Sequence, residues 1–63
     1  MLVIGYKTGA DFNSAAKVII KHMSISLQEA SKLCDRIKKG EAVSLPNDFV
    51  LRDDLKELQF LIS

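Results

Sequence analysis

The chain has 63 residues and contains nine Lys or Arg, eight Asp or Glu and one cysteine. A domain of this length buries only about 60% of the surface that its unfolded chain exposes, which leaves little room for a substrate pocket beside a core. We therefore expect no catalytic function and no bound cofactor. The single cysteine excludes an internal disulfide, and we expect no metal site.

The apolar content of 48% is typical of a globular domain rather than of a disordered chain. No apolar stretch approaches the roughly 18 residues of a membrane-spanning helix. Residues 1–5 lack the basic segment of a signal peptide. A small domain without disulfides fits a reducing compartment. These features favour a cytoplasmic protein with no membrane partner.

Charge is unevenly distributed along the chain. Residues 7–39 contain seven basic and three acidic residues, a net charge of +4, whereas residues 40–63 contain two basic and five acidic residues, a net charge of −3. An asymmetry of this kind points to a partner. The alternative interpretation is that two helices are basic and one is acidic without functional consequence.

The first part of the chain predicts one strand and two helices. The apolar run of residues 2–6 is typical of a strand that is buried on both faces. Apolar residues at helical spacing predict a helix over 12–23, with Asp11 as its N-cap. A capping-box sequence that begins at Ser26 predicts a second helix over 27–39.

The second part of the chain leaves two alternatives open. Residues 41–45 alternate weakly between apolar and polar and predict a second strand. A third helix covers 49–58 or begins only at Arg52. Residues 59–62 complete that helix or form a third strand. The predicted class is α+β, a two-layer β-α-α-β-α arrangement in which a small sheet packs on helices, with or without a final strand.

The segment from Lys17 to Cys34 resembles the C-terminal domain of the bacterial ribosomal stalk protein, which has a basic helix, a short turn and a helix that begins with Lys-Glu-Ala. The segment Lys39-Gly-Glu-Ala-Val43 is similar to Lys-Gly-Lys-Ala-Val in the Clp protease adaptors. Both families share one β-α-α-β-α-β fold. The resemblance implies this fold for the whole chain, with residues 59–62 as the third strand.

The resemblance implies only part of either family's binding site. The stalk domain binds translational GTPases through basic and small apolar residues of its helix pair. Lys17 matches one basic position, whereas Ile20 and Ser31 stand at two others. The Clp adaptors hold an N-terminal residue with an Asn-Asp-Asp segment and a histidine. Asp11 roughly matches the acidic segment, and Ile37 stands near the histidine position.

Three further features are candidate reactive sites. His22 lies at the edge of an apolar helix face, where a packing role is the simplest interpretation, and no spacing brings it a catalytic partner. Cys34 lies on the apolar stripe of the second helix and predicts a buried thiol. Asp53, Asp54 and Glu57 complement a helix dipole more simply than they bind a metal ion.

A partner-binding site is predicted on the helix pair, residues 12–39. Its cations form one basic surface if the two helices pair side by side, and three apolar residues that the core stripes do not include would group around Lys21. The predicted site residues are Lys17, Val18, Ile20, Lys21, Ile25, Lys32 and Arg36.

The sequence therefore predicts a small non-catalytic protein-binding module, an adaptor or inhibitor of a larger machine, with an acidic protein as partner. One alternative is a nucleic-acid-associated regulator that uses the same basic surface, although the chain has no Trp and its aromatic residues are not interleaved with the cations. Another alternative is a homo-oligomer that pairs through an exposed edge strand.

Overall fold

Three strands and three helices follow one another in the computed structural model, which describes all 63 residues. The strands form one antiparallel sheet, α2 and α3 lie against one face of it, and α1 packs on α2 and α3. The predicted α+β class with the order β-α-α-β-α-β is confirmed. The elements are β1 (Leu2–Tyr6), α1 (Phe12–Met23), α2 (Leu27–Lys38), β2 (Val43–Ser44), α3 (Phe49–Glu57) and β3 (Phe60–Ile62).

Each helix begins after a polar residue that caps it. The Asp11 carboxylate accepts a hydrogen bond from the Ser14 N–H at 3.0 Å. The Ser26 hydroxyl accepts one from the Glu29 N–H at 3.1 Å. The Asp48 carboxylate accepts two, at 2.9 and 3.2 Å, from N–H groups in the first turn of α3. These bonds satisfy N–H groups that have no partner within the helix, and they fix where each helix starts.

Two helix ends differ by one residue from the predicted bounds. α2 ends at Lys38 and α3 at Glu57, because the following residue in each case is the cap, whose N–H still bonds to carbonyls of the last turn. α3 begins at Phe49, directly after the Asp48 cap, so the alternative start at Arg52 is wrong.

β2 is shorter than the predicted strand over 41–45. Only Val43 and Ser44 pair with β1. The Glu41 N–H donates at 3.0 Å to the Arg36 carbonyl, so that part of the segment belongs to the turn that leaves α2. Glu41 is thus bonded to the end of α2 and not to the sheet. The alternation of residue types does not reveal this hydrogen bond.

The last residues form a strand rather than the end of α3. β3 comprises Phe60–Ile62, and Gln59 makes the turn before it with a φ of 74°, a left-handed conformation. The Lys7 N–H donates to the Gln59 carbonyl at 2.8 Å and ties this turn to the end of β1.

The sheet has the order β2-β1-β3, so β1 is its central strand. Val3 is opposite Ile62 on β3, and after an irregularity in the register Tyr6 is opposite Phe60. Residues that stand opposite one another share a face of the sheet. The irregularity, a β-bulge, therefore returns Tyr6 to the helix side, where its ring meets Phe12 edge to face at 5.0 Å.

One core lies between the sheet and the helices. The prediction that β1 is buried on both faces is wrong: Val3 is buried, but Leu2 and Ile4 are exposed, because the helices cover only one side of the sheet. The twelve buried residues are Val3, Ala15, Ala16, Ile19, Ala30, Cys34, Ile37, Val43, Leu45, Leu51, Leu55 and Phe60.

Candidate functional site

The seven residues of the predicted site fall into two classes of exposure. The four cations Lys17, Lys21, Lys32 and Arg36 are exposed. Val18, Ile20 and Ile25 are partly buried and pack against the core. The expectation that the core leaves these three apolar side chains free is therefore wrong.

The apolar residues also do not form one group around Lys21. Val18 and Ile20 are two positions apart on α1 and so point to different sides of the helix. Val18 is one turn before His22, whose ring contacts α3, whereas Ile20 is one turn after Ala16, which lines a groove against α2. The cations and the apolar residues are thus divided over more than one surface.

An open groove of about 270 Å³ runs between α1 and α2. Lys17 is the only member of the predicted site that lines it. The first residue of α2, Leu27, is 64% exposed there, and Lys38 lies at the other end of the same helix face. The lining residues are Phe12, Asn13, Ala16, Lys17, Leu27, Ser31, Cys34, Asp35 and Lys38.

The charge of the helix pair is largely uncompensated. Its five lysines have no carboxylate within 4.0 Å, whereas Arg36 pairs with Glu41 at 3.4 Å. The Lys38 amino group lies 4.8 Å from the centre of the Phe12 ring, a cation–π contact that holds it at the groove. The unpaired lysines are Lys17, Lys21, Lys32, Lys38 and Lys39.

Leu27 and Lys38 are the groove residues that the sequence did not single out. Leu27 has the apolar side chain of a core residue, but as the first residue of α2 it remains exposed. A signal was present in the spacing, since Leu27, Ser31 and Lys38 stand at i, i+4 and i+11 and share one side of the helix. Only the position of α1 decides that this side borders a groove.

His22 lies between two carboxylates that sequence spacing did not connect to it. Its Nδ1 is 3.3 Å from the Asp48 Oδ2 and its Nε2 is 3.5 Å from the Asp54 Oδ2, and its side chain is 14% exposed. The backbone N–H groups of Leu51 and Val50, together with His22, hold the pKa of Asp48 below its ordinary value. These contacts join the end of α1 to the start of α3.

The His22 cluster has no nucleophile of the cysteine type beside it. The only thiol, Cys34, contacts the Phe12 carbonyl at 3.8 Å, and Phe12 is ten residues from His22, or about 15 Å along α1. Cys34 is buried as predicted, and burial raises the pKa of its thiol, so the reactive thiolate is disfavoured.

No group of three or more His, Cys, Asp or Glu side chains is placed to hold a metal ion. None of the helices has both the length and the apolar character needed to cross a membrane.

A second exposed surface was missing from the sequence prediction. Leu2, Ile4 and Leu61 are 42%, 51% and 38% exposed on the side of the sheet that has no helix. Near one end of the sheet, a cavity of about 310 Å³ is bordered by Phe49 and Arg52, and the Arg52 guanidinium lies 5.1 Å from the centre of the Phe49 ring. The exposed apolar residues thus lie on the sheet and at the start of α3 as well as at Leu27.

No family model, curated protein or solved structure matches the chain. The resemblance to the ribosomal stalk and Clp adaptor domains stays a prediction, and the function has to be argued from these surfaces.

Proposed function

We propose that the chain is a non-catalytic protein-binding module, an adaptor or inhibitor of a larger machine, that holds an acidic segment of another protein in the groove between α1 and α2. The observation that carries this proposal is one open groove in which an exposed Leu27 lies with the unpaired cations Lys17 and Lys38.

The apolar part of the groove offers a place for one partner side chain. Leu27 is 64% exposed at one end of the groove, whose further apolar lining residues Phe12 and Ala16 already pack against the core or belong to it. A side chain of the partner that covers Leu27 would remove apolar surface from water, at roughly 25 cal/mol per Å². This contact would supply affinity that does not depend on charge.

The charged part of the groove favours carboxylates along the same bound segment. Lys17 and Lys38 contribute from the two helices, and neither amino group is paired with an acid of its own chain. Asp35 is the one carboxylate among the lining residues, and it would repel acids placed directly over it. The expected ligand is therefore an apolar residue with acidic neighbours.

The alternatives have weaker support. A nucleic acid would need aromatic side chains for stacking beside the cations, but Phe12 is partly buried beneath Lys38 and Phe49 belongs to α3. A homo-oligomer paired through an edge strand would use β2 or β3, which have only two and three residues and offer few free backbone groups.

The proposed location is the cytoplasm. Cys34 is a free thiol and forms no disulfide, which suits a compartment that keeps thiols reduced.

A charge reversal in the groove tests the proposal. Immobilised wild-type protein is compared with the double variant Lys17→Glu, Lys38→Glu for retention of a protein from the native lysate. The matched control is Lys32→Glu, Lys39→Glu, which lies on α2 and its cap. It changes the net charge of the chain by the same amount as the groove variant but does not alter the groove lining. We expect the wild type and the control to retain the same acidic protein. The groove variant should retain at least tenfold less of it.

A peptide probe makes the same test independent of the lysate. A twelve-residue peptide with one Leu flanked by Glu residues is titrated into labelled protein, and a peptide with Gln in place of Glu serves as control. The proposal is supported if the Glu peptide causes NMR shifts that are confined to the groove residues and the Gln peptide causes smaller ones. Retention of the same protein by the groove variant, or recovery of nucleic acid alone, would overturn it.

A further inference from the structure

The side of the sheet that faces away from the helices has an unusual composition. In an antiparallel sheet with one solvated face, polar residues normally occupy the outward positions. Here the outward positions include Leu2, Ile4 and Leu61, each exposed by more than a third. Ser44, which is opposite Leu2, is the polar exception. We call the surface formed by Leu2, Ile4, Leu61, Ser44 and Gly5 the open sheet face.

We propose that the open sheet face binds the same face of a second copy of this chain, so that two sheets pack against each other in a symmetric dimer. The proposed acidic partner occupies the helix pair and does not take part in this contact.

The charge distribution selects this occupant. None of the nine basic and eight acidic residues lies in a strand. A partner chosen by charge, such as an acidic protein or a nucleic acid, would find no complementary group on the open sheet face. The helical surface of this same chain is also excluded as a match, because it carries unpaired lysines that would be desolvated. The equivalent uncharged face of another copy carries no such cost.

The shape of the open sheet face suits contact between sheets. The Leu61 Cδ1 is 3.6 Å from the position that a Cβ on Gly5 would occupy, so the Leu61 side chain leans over the one residue that has none. Apolar sheet faces pack about 10 Å apart with their strands nearly aligned.

The area of the open sheet face limits the strength of the dimer. Three strands at the usual spacing and the five residues of β1 give a face of at most about 14 by 17 Å, or roughly 240 Å² per copy. Stable interfaces bury about 800 Å² per partner. The contact is much smaller than this, and we therefore expect a weak dimer that forms only at high protein concentration.

Sedimentation velocity from about 10 µM to about 1 mM protein tests the proposal. We expect the wild type to change from monomer to dimer over this range, and the double variant Ile4→Lys, Leu61→Lys to remain a monomer throughout. The matched control is Val50→Lys, an equally exposed apolar residue on α3, which should dimerise like the wild type. A wild type that remains monomeric at about 1 mM overturns the proposal.

Two further arms keep the result unambiguous. If circular dichroism shows that the lysine variant is poorly folded, Ile4→Thr takes its place, since threonine is a good strand residue. Ile4→Thr should weaken the dimer at least threefold. The groove variant Lys17→Glu, Lys38→Glu should dimerise normally, so the dimer and the acidic partner succeed or fail separately. Dimers that persist in Ile4→Thr and in the lysine variant alike would place the interface elsewhere, and binding of the wild-type monomer to neutral vesicles instead would identify a lipid surface as the occupant.

Discussion

The outer surface of the helical layer and the open sheet face are opposite in character. The helical surface is charged, grooved and rich in unpaired lysines, whereas the open sheet face is largely apolar and has no charged side chain. Both are exposed surfaces of one 63-residue chain. A chain this small has one core, and its two layers present outer surfaces of different chemistry.

The sheet also shows how little the residue type alone says about burial. Phe60 and Leu61 are neighbours on β3, both apolar, yet Phe60 is 3% exposed and Leu61 is 38% exposed. The difference follows from the alternation of side chains across a strand and from the helices that cover only one face. Neighbouring positions therefore provide matched tests of core and surface.

The largest effect is expected for Phe60→Ala. Its ring packs edge to face against Phe12 at 5.1 Å in the core. Removing it should lower the free energy of unfolding by about 3–5 kcal/mol, which approaches the whole stability of a domain of this size. Leu61→Ala, measured at low micromolar concentration, should cost less than about 1 kcal/mol. Urea unfolding measures both, and comparable losses would contradict the assignment of the two faces.

The second prediction separates the two surfaces by salt. Raising the salt concentration from about 0.05 to about 0.5 M should weaken binding of the Glu-flanked peptide to the groove by about tenfold, because exposed charges are screened. Dimerisation through the open sheet face should not weaken, since that face has no charged residue. Fluorescence anisotropy and sedimentation report the two equilibria. A peptide affinity that is insensitive to salt would show that the charge of the groove lysines does not contribute to binding.

The third prediction concerns acid, which should act on the helical layer. Hydrogen bonds from Ser14 hold the pKa of Asp11 below its ordinary value, and those from Leu51 and Val50 do the same for Asp48. Because both pKa values are lower in the folded chain, the caps stabilise it fully above the unfolded value of about 3.9 and lose this effect as the pH falls further.

Thermal unfolding between pH 5 and pH 2 tests the role of the caps. The double variant Asp11→Asn, Asp48→Asn retains acceptors for the helix N–H groups but does not titrate. Its melting temperature should therefore fall less steeply with acid than that of the wild type. Parallel curves for the two proteins would show that other carboxylates cause the acid sensitivity.

The smallest effect is expected at the turn between the layers. Gln59 has a φ of 74°, which strains any residue that has a Cβ. Gln59→Gly should raise the free energy of unfolding by about 1 kcal/mol. The same substitution at the second residue of α2, Gln28→Gly, should lower it by up to about 1 kcal/mol. Chemical denaturation of the pair checks both signs, and a loss of stability in Gln59→Gly would contradict the strain.

Local rules in the sequence predicted most of the fold. Asp11 and Ser26 cap α1 and α2 as expected, because capping needs only a short polar side chain and the next few N–H groups. The predicted end of α2 and the predicted length of β2 were less accurate, because the Glu41 N–H donates to the Arg36 carbonyl near the end of α2. That hydrogen bond involves groups whose positions depend on the packed helix.

The candidate site was predicted less well than the fold. The sequence identified the basic helix pair and Lys17, because net charge is a sum over residues and needs no geometry. It did not identify Leu27, Lys38 or the open sheet face, because exposure depends on which neighbour covers a residue.

The sequence by itself determined the types and order of the first five elements and the caps of α1 and α2, since each depends on residues within a few positions of one another, and it determined the uneven charge, which is a sum over residues. Only the tertiary structure decided which apolar residues remain in contact with water. In β1 the run from Leu2 to Tyr6 offers apolar side chains to both sides, and the helices cover only the side of Val3. A small chain cannot cover both faces of its sheet, and the uncovered face is the consequence.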